Sequence, residues 1–220
     1  ERGEIIYRDR VGEIASELAM HFEQGRDYRK AIKYLAQSAD IDSRRYAGRE
    51  ALENLEQALK LIKRLPESEQ QSTRMALLEQ RGMVRRAMGE MTGPAADFME
   101  LASLARECEQ VETEAKALLH AASAFSWVER QRCPETFERA VALIPRLQSE
   151  LLKAHVRAYW GYWYSRFLSW REEDEQACER AIEATKQAGD RALLSMHVAR
   201  QTYYLCLRSE YESACRVAEE

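Results

Sequence analysis

The sequence predicts an all-α protein, a right-handed α-solenoid built from about eleven antiparallel helices that pack in pairs. Three observations lead to this fold class. Apolar residues recur at helical spacing through most of the chain. The sequence contains only 9 glycines and 4 prolines, which is too few for a turn-rich β protein. Small residues also recur at fixed intervals.

The small residues show the repeat most clearly near the start of the chain. Ala19 and Ala31 are 12 positions apart, and so are Ala39 and Ala51. Small side chains allow two helices to approach closely, and larger apolar side chains fill the space beside them. These intervals therefore indicate repeated helix pairs.

The first five helices each have an apolar face or a residue that favours a helix boundary. Gly25 ends the first helix and Asp27 caps the second. Pro66 stops the third helix, Gly89 ends the fourth, and Pro94 opens the fifth. The predicted spans are Val11–Gln24, Tyr28–Arg44, Arg49–Leu65, Glu69–Met88 and Pro94–Glu109.

The later helices follow the same pattern with a longer repeat. The motif FERA at residues 137–140 recurs as CERA at residues 178–181, which is 41 positions further on. Gly189 closes the ninth helix. The predicted spans are Glu112–Arg130, Pro134–Gln148, Leu151–Trp170, Glu172–Ala188, Arg191–Arg208 and Tyr211–Glu219.

The spacing resembles the tetratricopeptide repeat (TPR). Ala19, Phe22, Tyr28 and Ala31 match the eighth, eleventh, seventeenth and twentieth positions of that repeat. Equivalent alanines lie at positions 58, 102, 140 and 181, in steps of 44, 38 and 41 residues. These steps exceed the roughly 34 residues of the standard repeat, so longer helices are expected.

The first 110 or so residues resemble a more particular arrangement. The segments ELAMHFEQGRDYRKAIKYL, YAGREALENLEQALKLIKRLP and LLEQRGMVRRAMGE are similar to the repeat region that follows the ATPase core in large bacterial signal-transduction ATPases. This group (the STAND or AAA-type ATPases) includes regulators like the maltose activator and ATPases fused to nucleotide cyclase domains. The resemblance implies a module that receives a ligand or partner and restrains the ATPase.

Composition excludes several other classes. The net charge of −4 argues against direct nucleic-acid binding, and no apolar run reaches the roughly 20 residues of a membrane helix. The five cysteines are scattered without a C-x-x-C pair, which indicates reduced thiols in a cytoplasmic protein. We expect one TPR-like repeat domain over residues 1–220. The start at Glu1 and the finish inside a helical pattern suggest a fragment of a longer multidomain protein.

No motif for catalysis or for a cofactor is present. The sequence has no P-loop, no G-x-G-x-x-G after a strand, no H-E-x-x-H and no Cys/His cluster. It therefore predicts no catalytic, cofactor-binding or metal-binding residues and no enzymatic activity for this chain. His21, His120, His155 and His197 are far apart in the sequence, and we expect each to be a packed or surface residue.

The candidate binding residues lie mainly in an aromatic stretch from Tyr159 to Trp170. If Gly161 or Tyr162 occupies the eighth repeat position, the repeat places Tyr159, Trp163 and Arg166 in the concave groove, where Tyr203 would join them. Aromatic and arginine side chains are frequent anchors of binding surfaces. The alternative is that these rings form a packing layer between long helices.

Arg86 is a further candidate. It belongs to a basic patch with Arg81 and Arg85, which could meet an acidic partner or could be a solvated helix face.

These features predict a non-catalytic scaffold for protein–protein interaction or ligand sensing, within a multidomain signalling ATPase or transcriptional regulator. The expected partner is a protein or peptide, another domain of the parent chain, or a small-molecule effector. The alternative is a free-standing TPR adaptor resembling co-chaperones, although the sequence lacks a clear Lys/Asn clamp for a terminal carboxylate.

Overall fold

The computed structural model describes residues 14–90 and 92–219, which contain eleven α-helices and no β-strand. Residues 11–13 of the first predicted helix lie outside the described residues. The helices are α1 Ala15–Gln24, α2 Tyr28–Arg44, α3 Gly48–Leu61, α4 Glu67–Ala87, α5 Gly93–Glu107, α6 Val111–Val128, α7 Cys133–Ala142, α8 Glu150–Phe167, α9 Glu172–Ala188, α10 Arg191–Leu207 and α11 Tyr211–Glu219.

Two helices are shorter than the sequence predicts because their last turn tightens. After α3 the chain continues as a 3₁₀ turn at Ile62–Arg64, and after α7 as a 3₁₀ turn at Ile144–Arg146. Both turns end on an extended leucine, Leu65 or Leu147. The two stretches share the pattern A-x-x-L-I-x-R-L, 82 positions apart, so the same helix ending recurs in equivalent repeats.

The turns between helices repeatedly use one residue in the left-handed conformation. Gly89 and Gly189 have φ values of 76° and 71°, as expected for glycines that end helices. In other turns the left-handed residue is not glycine: Arg26, Tyr46 and Ser209 have φ values of 60°, 61° and 64°. After α1, the left-handed residue is therefore Arg26 rather than the preceding glycine that the sequence points to.

The described residues fall into two compact units. The first contains residues 14–109 and 120–133, and the second contains residues 110–119 and 134–219. The prediction of one domain over the whole chain stays a prediction.

In the first unit, consecutive helices pack from α1 to α5 through the small residues of the repeat. Ala31, Ala39, Ala51, Ala58 and Ala102 all have no exposed surface. In α4, a Cβ atom added to Gly82 would lie 2.8 Å from Cζ of Phe98, so the missing side chain lets α5 approach.

A buried ion-pair network joins α4 to α5 in this unit. Only 2% of the Asp97 side chain is exposed. Its carboxylate accepts hydrogen bonds from Nε of Arg81 at 3.1 Å and from Nη1 of Arg85 at 3.0 Å. Two members of the predicted basic patch therefore neutralise a carboxylate of the same unit, so the patch is not a solvated face.

In the second unit, α8 packs on α9, α9 on α10, and α10 on α11. Ala140 and Ala181 again have no exposed surface, as the repeat predicts. A Cβ atom added to Gly161 would lie 2.8 Å from Cβ of Asp174, so Gly161 marks the close approach of α8 to α9. Asp174 in turn accepts hydrogen bonds from Oγ of Ser165 and from Nε of Arg171.

Candidate functional site

Two helices of the second unit, α8 and α10, bring a group of tyrosine and arginine side chains together. Tyr159, Tyr162 and Arg166 share one side of α8 because they are spaced at i, i+3 and i+7. Arg200 and Tyr203 are spaced at i and i+3 on α10. These five residues are called the α8–α10 cluster below.

Direct contacts connect the two halves of the α8–α10 cluster. The rings of Tyr162 and Tyr203 meet edge to face, with their centroids 5.3 Å apart. The Arg200 guanidinium lies 4.0 Å from the centroid of the Tyr159 ring. Arg166 donates a hydrogen bond of 2.6 Å from Nη1 to the Tyr162 hydroxyl. The three tyrosines are half-buried and Arg166 is exposed, so solvent reaches part of the cluster.

The repeat explains why these residues meet. Tyr159 and Arg200 are 41 positions apart, and so are Tyr162 and Tyr203. This is the interval that separates FERA from CERA, so the pairs occupy equivalent positions of successive repeats. Sequence reasoning missed Arg200 and left Tyr162 out of the binding set, and this interval was the signal that could have found both.

Arg200 contacts a pair of histidines, of which His197 is buried and His155 is half-buried. Arg200 donates to Nδ1 of His197 at 3.2 Å, which leaves Nε2 of His197 to donate to Nδ1 of His155 at 3.1 Å. The His155 ring also stacks on Tyr159, with centroids 5.6 Å apart. The fold therefore brings together two histidines that are far apart in the sequence, and both are packed, as expected.

This arrangement keeps His197 neutral. Burial, together with the positive charge of Arg200, lowers the pKa of His197 from 6.5 to about 4. Because its pKa is lower in the folded protein than in the unfolded chain, unfolding takes up a proton between these two values. The stabilising contribution is complete above pH 6.5 and is lost as the pH falls towards 4.

We expect the free energy of unfolding to fall by about 2 kcal/mol between pH 7 and pH 5 through His197 alone. Urea denaturation at both pH values measures this change. His197→Gln is the control, because glutamine keeps an acceptor for Arg200 but does not titrate. If the variant and the parent protein lose the same stability on acidification, His197 is not the responsible group.

The predicted binding residue Trp163 does not belong to the α8–α10 cluster. Its side chain is buried, with 5% of its surface exposed. It packs between Trp160 and Phe137, with ring centroids 5.6 Å and 5.8 Å from its own, and also contacts Phe167. The expectation of a groove position is corrected for Trp163, because this ring is buried in a packing layer with Phe137, Trp160 and Phe167. Thus α8 contributes one face to a packing layer and other residues to the α8–α10 cluster.

Arg86, the remaining predicted site residue, lies in the first unit on α4. Its Nη1 atom contacts Nδ1 of His120 at 3.0 Å. The His120 ring in turn packs on Phe98, with centroids 4.9 Å apart. The structure therefore does not group Arg86 with the α8–α10 cluster, whereas Tyr159, Arg166 and Tyr203 are brought together there.

Two further observations concern metal binding and nucleophilic chemistry in the described residues. Within residues 14–90 and 92–219, no group of three or more His, Cys, Asp or Glu side chains is arranged to hold a metal ion. Burial raises the pKa of the Cys178 thiol to about 12, so this cysteine is protonated at neutral pH and is a poor nucleophile. None of the described helices is long and apolar enough to span a bilayer.

Comparisons with known proteins give fold relatives only. No protein-family model matches the chain. No curated protein matches it either.

Solved structures are similar to the chain along most of its length. BtubC (BKLC) from P. vanneervenii is 16% identical, with a TM-score of 0.69 over 98% of this chain and 87% of that protein. A kinesin-light-chain-type protein of Podospora anserina with nearly identical TPR-like repeats is 15% identical, with a TM-score of 0.61 over 86% of this chain and 92% of that protein. The predicted all-α, TPR-like solenoid fold is thereby confirmed.

Proposed function

We propose that this chain is a non-catalytic scaffold that binds a protein or peptide segment through the α8–α10 cluster. One observation carries the proposal: the partly exposed rings of Tyr162 and Tyr203, at equivalent positions of successive repeats, lie beside each other and beside the exposed Arg166. Tyrosine and arginine dominate the energetically important positions of protein interfaces. A TPR-like fold also offers an extended surface for such contacts.

We further propose that the scaffold serves a multidomain signalling ATPase or transcriptional regulator. The resemblance of roughly the first 110 residues to the repeat region of bacterial signal-transduction ATPases supports this context. In such a protein the bound segment would come from another domain of the parent chain or from a separate regulatory protein in the cytoplasm.

The test places a photo-crosslinker at the α8–α10 cluster. A Tyr203→p-benzoylphenylalanine variant is irradiated in extract from its own cells, and crosslinked peptides are identified by mass spectrometry. We expect crosslinks to one partner segment, and an approximately tenfold loss of that partner's affinity in an Arg166→Ala/Tyr203→Ala double variant.

A Tyr211→p-benzoylphenylalanine variant is the matched control for the crosslink. Tyr211 is 63% exposed but lies on α11, outside the α8–α10 cluster. Crosslinks of equal yield from both positions, or unchanged affinity in the double variant, would show that the partner binds elsewhere.

A further inference from the structure

Arg200 is a buried cation, and its neighbours among the described residues are neutral. Only 5% of the surface of Arg200 is exposed. Its contacts include the Tyr159 side chain, the Tyr162 ring at 5.7 Å, and Nδ1 of His197. Among the described residues, no carboxylate pairs with it. A buried charge without a counter-charge is costly in free energy.

Other arginines of the chain are paired with a carboxylate. Arg81 pairs with Asp97, Arg171 pairs with Asp174 at 2.7 Å, and Arg208 pairs with Glu175 at 3.3 Å. The three carboxylates are all buried, and each contacts a guanidinium group. The described helices therefore supply carboxylates to other arginines but none to Arg200.

The second arginine of the α8–α10 cluster, Arg166, has no carboxylate partner among residues 14–90 and 92–219 either. Arg166 donates to the hydroxyl of Tyr162, and its guanidinium lies 5.9 Å from the centre of that ring. Two guanidinium groups thus flank Tyr162, and in the described part of the chain neither is neutralised. The neutral state of His197 adds no negative charge to offset them.

We propose that the ligand of the α8–α10 cluster carries an oxyanion, either an Asp or Glu side-chain carboxylate or a phosphate group, which supplies the counter-charge for Arg166 and Arg200. Guanidinium groups bind both kinds of oxyanion through charge-assisted hydrogen bonds. The tyrosine rings contact the residues beside the anion. This inference rests on the proposed function, because it assumes that the α8–α10 cluster is the binding surface.

The first experiment uses an array of synthetic peptides of random sequence, all N-acetylated and C-amidated so that no terminal charge contributes. Each sequence is made in versions with Glu, phosphoserine, Gln or Lys at one central position, and the array is probed with the labelled chain. We expect retention of the Glu or phosphoserine version to exceed that of the matched Gln version by about tenfold or more. The better of the two anionic versions identifies the source of the oxyanion.

Variants then connect this preference to the two arginines. Arg166→Gln and Arg200→Met are expected to lose the preference for an anionic centre. Arg157→Gln is the matched control, because Arg157 is an exposed arginine that lies on α8, like Arg166, but outside the α8–α10 cluster. We also expect the preference to weaken as the salt concentration rises, because one of the two arginines is exposed.

The stability of Arg200→Met distinguishes a binding role from a structural one. A buried arginine held without a counter-charge contributes little to folding, so replacing it with methionine should leave the urea midpoint nearly unchanged or raise it. A large drop in the midpoint together with an intact anion preference in Arg166→Gln would overturn the proposal, since Arg200 would then be a structural residue.

The outcomes separate this inference from the proposed function. Equal retention of Glu, phosphoserine and Gln versions, with binding still lost in Tyr203→Ala, refutes the anionic ligand and leaves the binding surface in place. Failure to retain any peptide refutes both. A preference for anions that survives in both arginine variants assigns the anion to another site and overturns the inference.

Discussion

Trp163→Ala is expected to lower the free energy of unfolding by about 3–5 kcal/mol, as is usual when a large buried aromatic side chain is truncated. Trp163 is 5% exposed and contacts Trp160, Phe137 and Phe167. Removing its indole opens a cavity in the layer that joins α7 to α8. Urea denaturation monitored by circular dichroism measures the change.

The matched substitution Trp163→Phe should cost much less, about 1 kcal/mol, because it keeps an aromatic ring at this position. It also removes the indole Nε1–H group, which is buried and has no hydrogen-bond acceptor. If Trp163→Ala leaves the urea midpoint unchanged but abolishes partner binding, Trp163 contacts the ligand, and the packing role described above is wrong.

Asp97→Ala should destabilise the first unit by about 3 kcal/mol, the lower part of the range for a buried ion pair that loses one partner. The substitution leaves the guanidinium groups of Arg81 and Arg85 without their shared carboxylate. Both arginine side chains remain slightly exposed, at 18% and 19%, so partial hydration limits the cost. The midpoint of urea unfolding reports the effect.

Glu100→Ala is the control for this prediction. Glu100 lies on the same helix and pairs with Arg74, but the two side chains are 38% and 49% exposed. Surface ion pairs contribute at most about 1 kcal/mol, so this variant should remain close to the parent protein. Equal destabilisation by both substitutions would mean that the buried ion pairs of Asp97 contribute no more to stability than the exposed pair of Glu100.

The repeat made much of the fold predictable from the sequence. Small residues at helix crossings have few alternatives, because a larger side chain would separate the helices, so the positions of Ala58, Ala102, Ala140 and Ala181 could be read directly. Each of these alanines has no exposed surface. The local signals at Asp27, Gly89 and Gly189 also mark helix boundaries without help from the rest of the chain.

The candidate site was less predictable because it depends on contacts between helices that are distant in the sequence. The spacing of Tyr159 and Trp163 puts them on the same side of a helix, and both rings contact Phe137. Yet Trp163 is buried against Trp160, whereas Tyr159 is half-buried and contacts Arg200 of α10. Helical periodicity cannot make this distinction, since both rings satisfy the same pattern. Nor can it show that a buried arginine lacks a carboxylate, which requires every neighbouring helix to be known.

The turns described above suggest how the protein could be engineered. Arg26, Tyr46 and Ser209 hold left-handed backbone conformations that cost residues with a Cβ atom roughly 1 kcal/mol. The Tyr46 side chain is 98% exposed, so almost no packing would be lost by changing it. Glycine at such turns would remove this strain. The greater conformational entropy of glycine in the unfolded chain would cancel part of the gain in stability. Substitutions in turns outside the α8–α10 cluster could therefore stabilise the protein and compensate for destabilising substitutions that change its binding specificity.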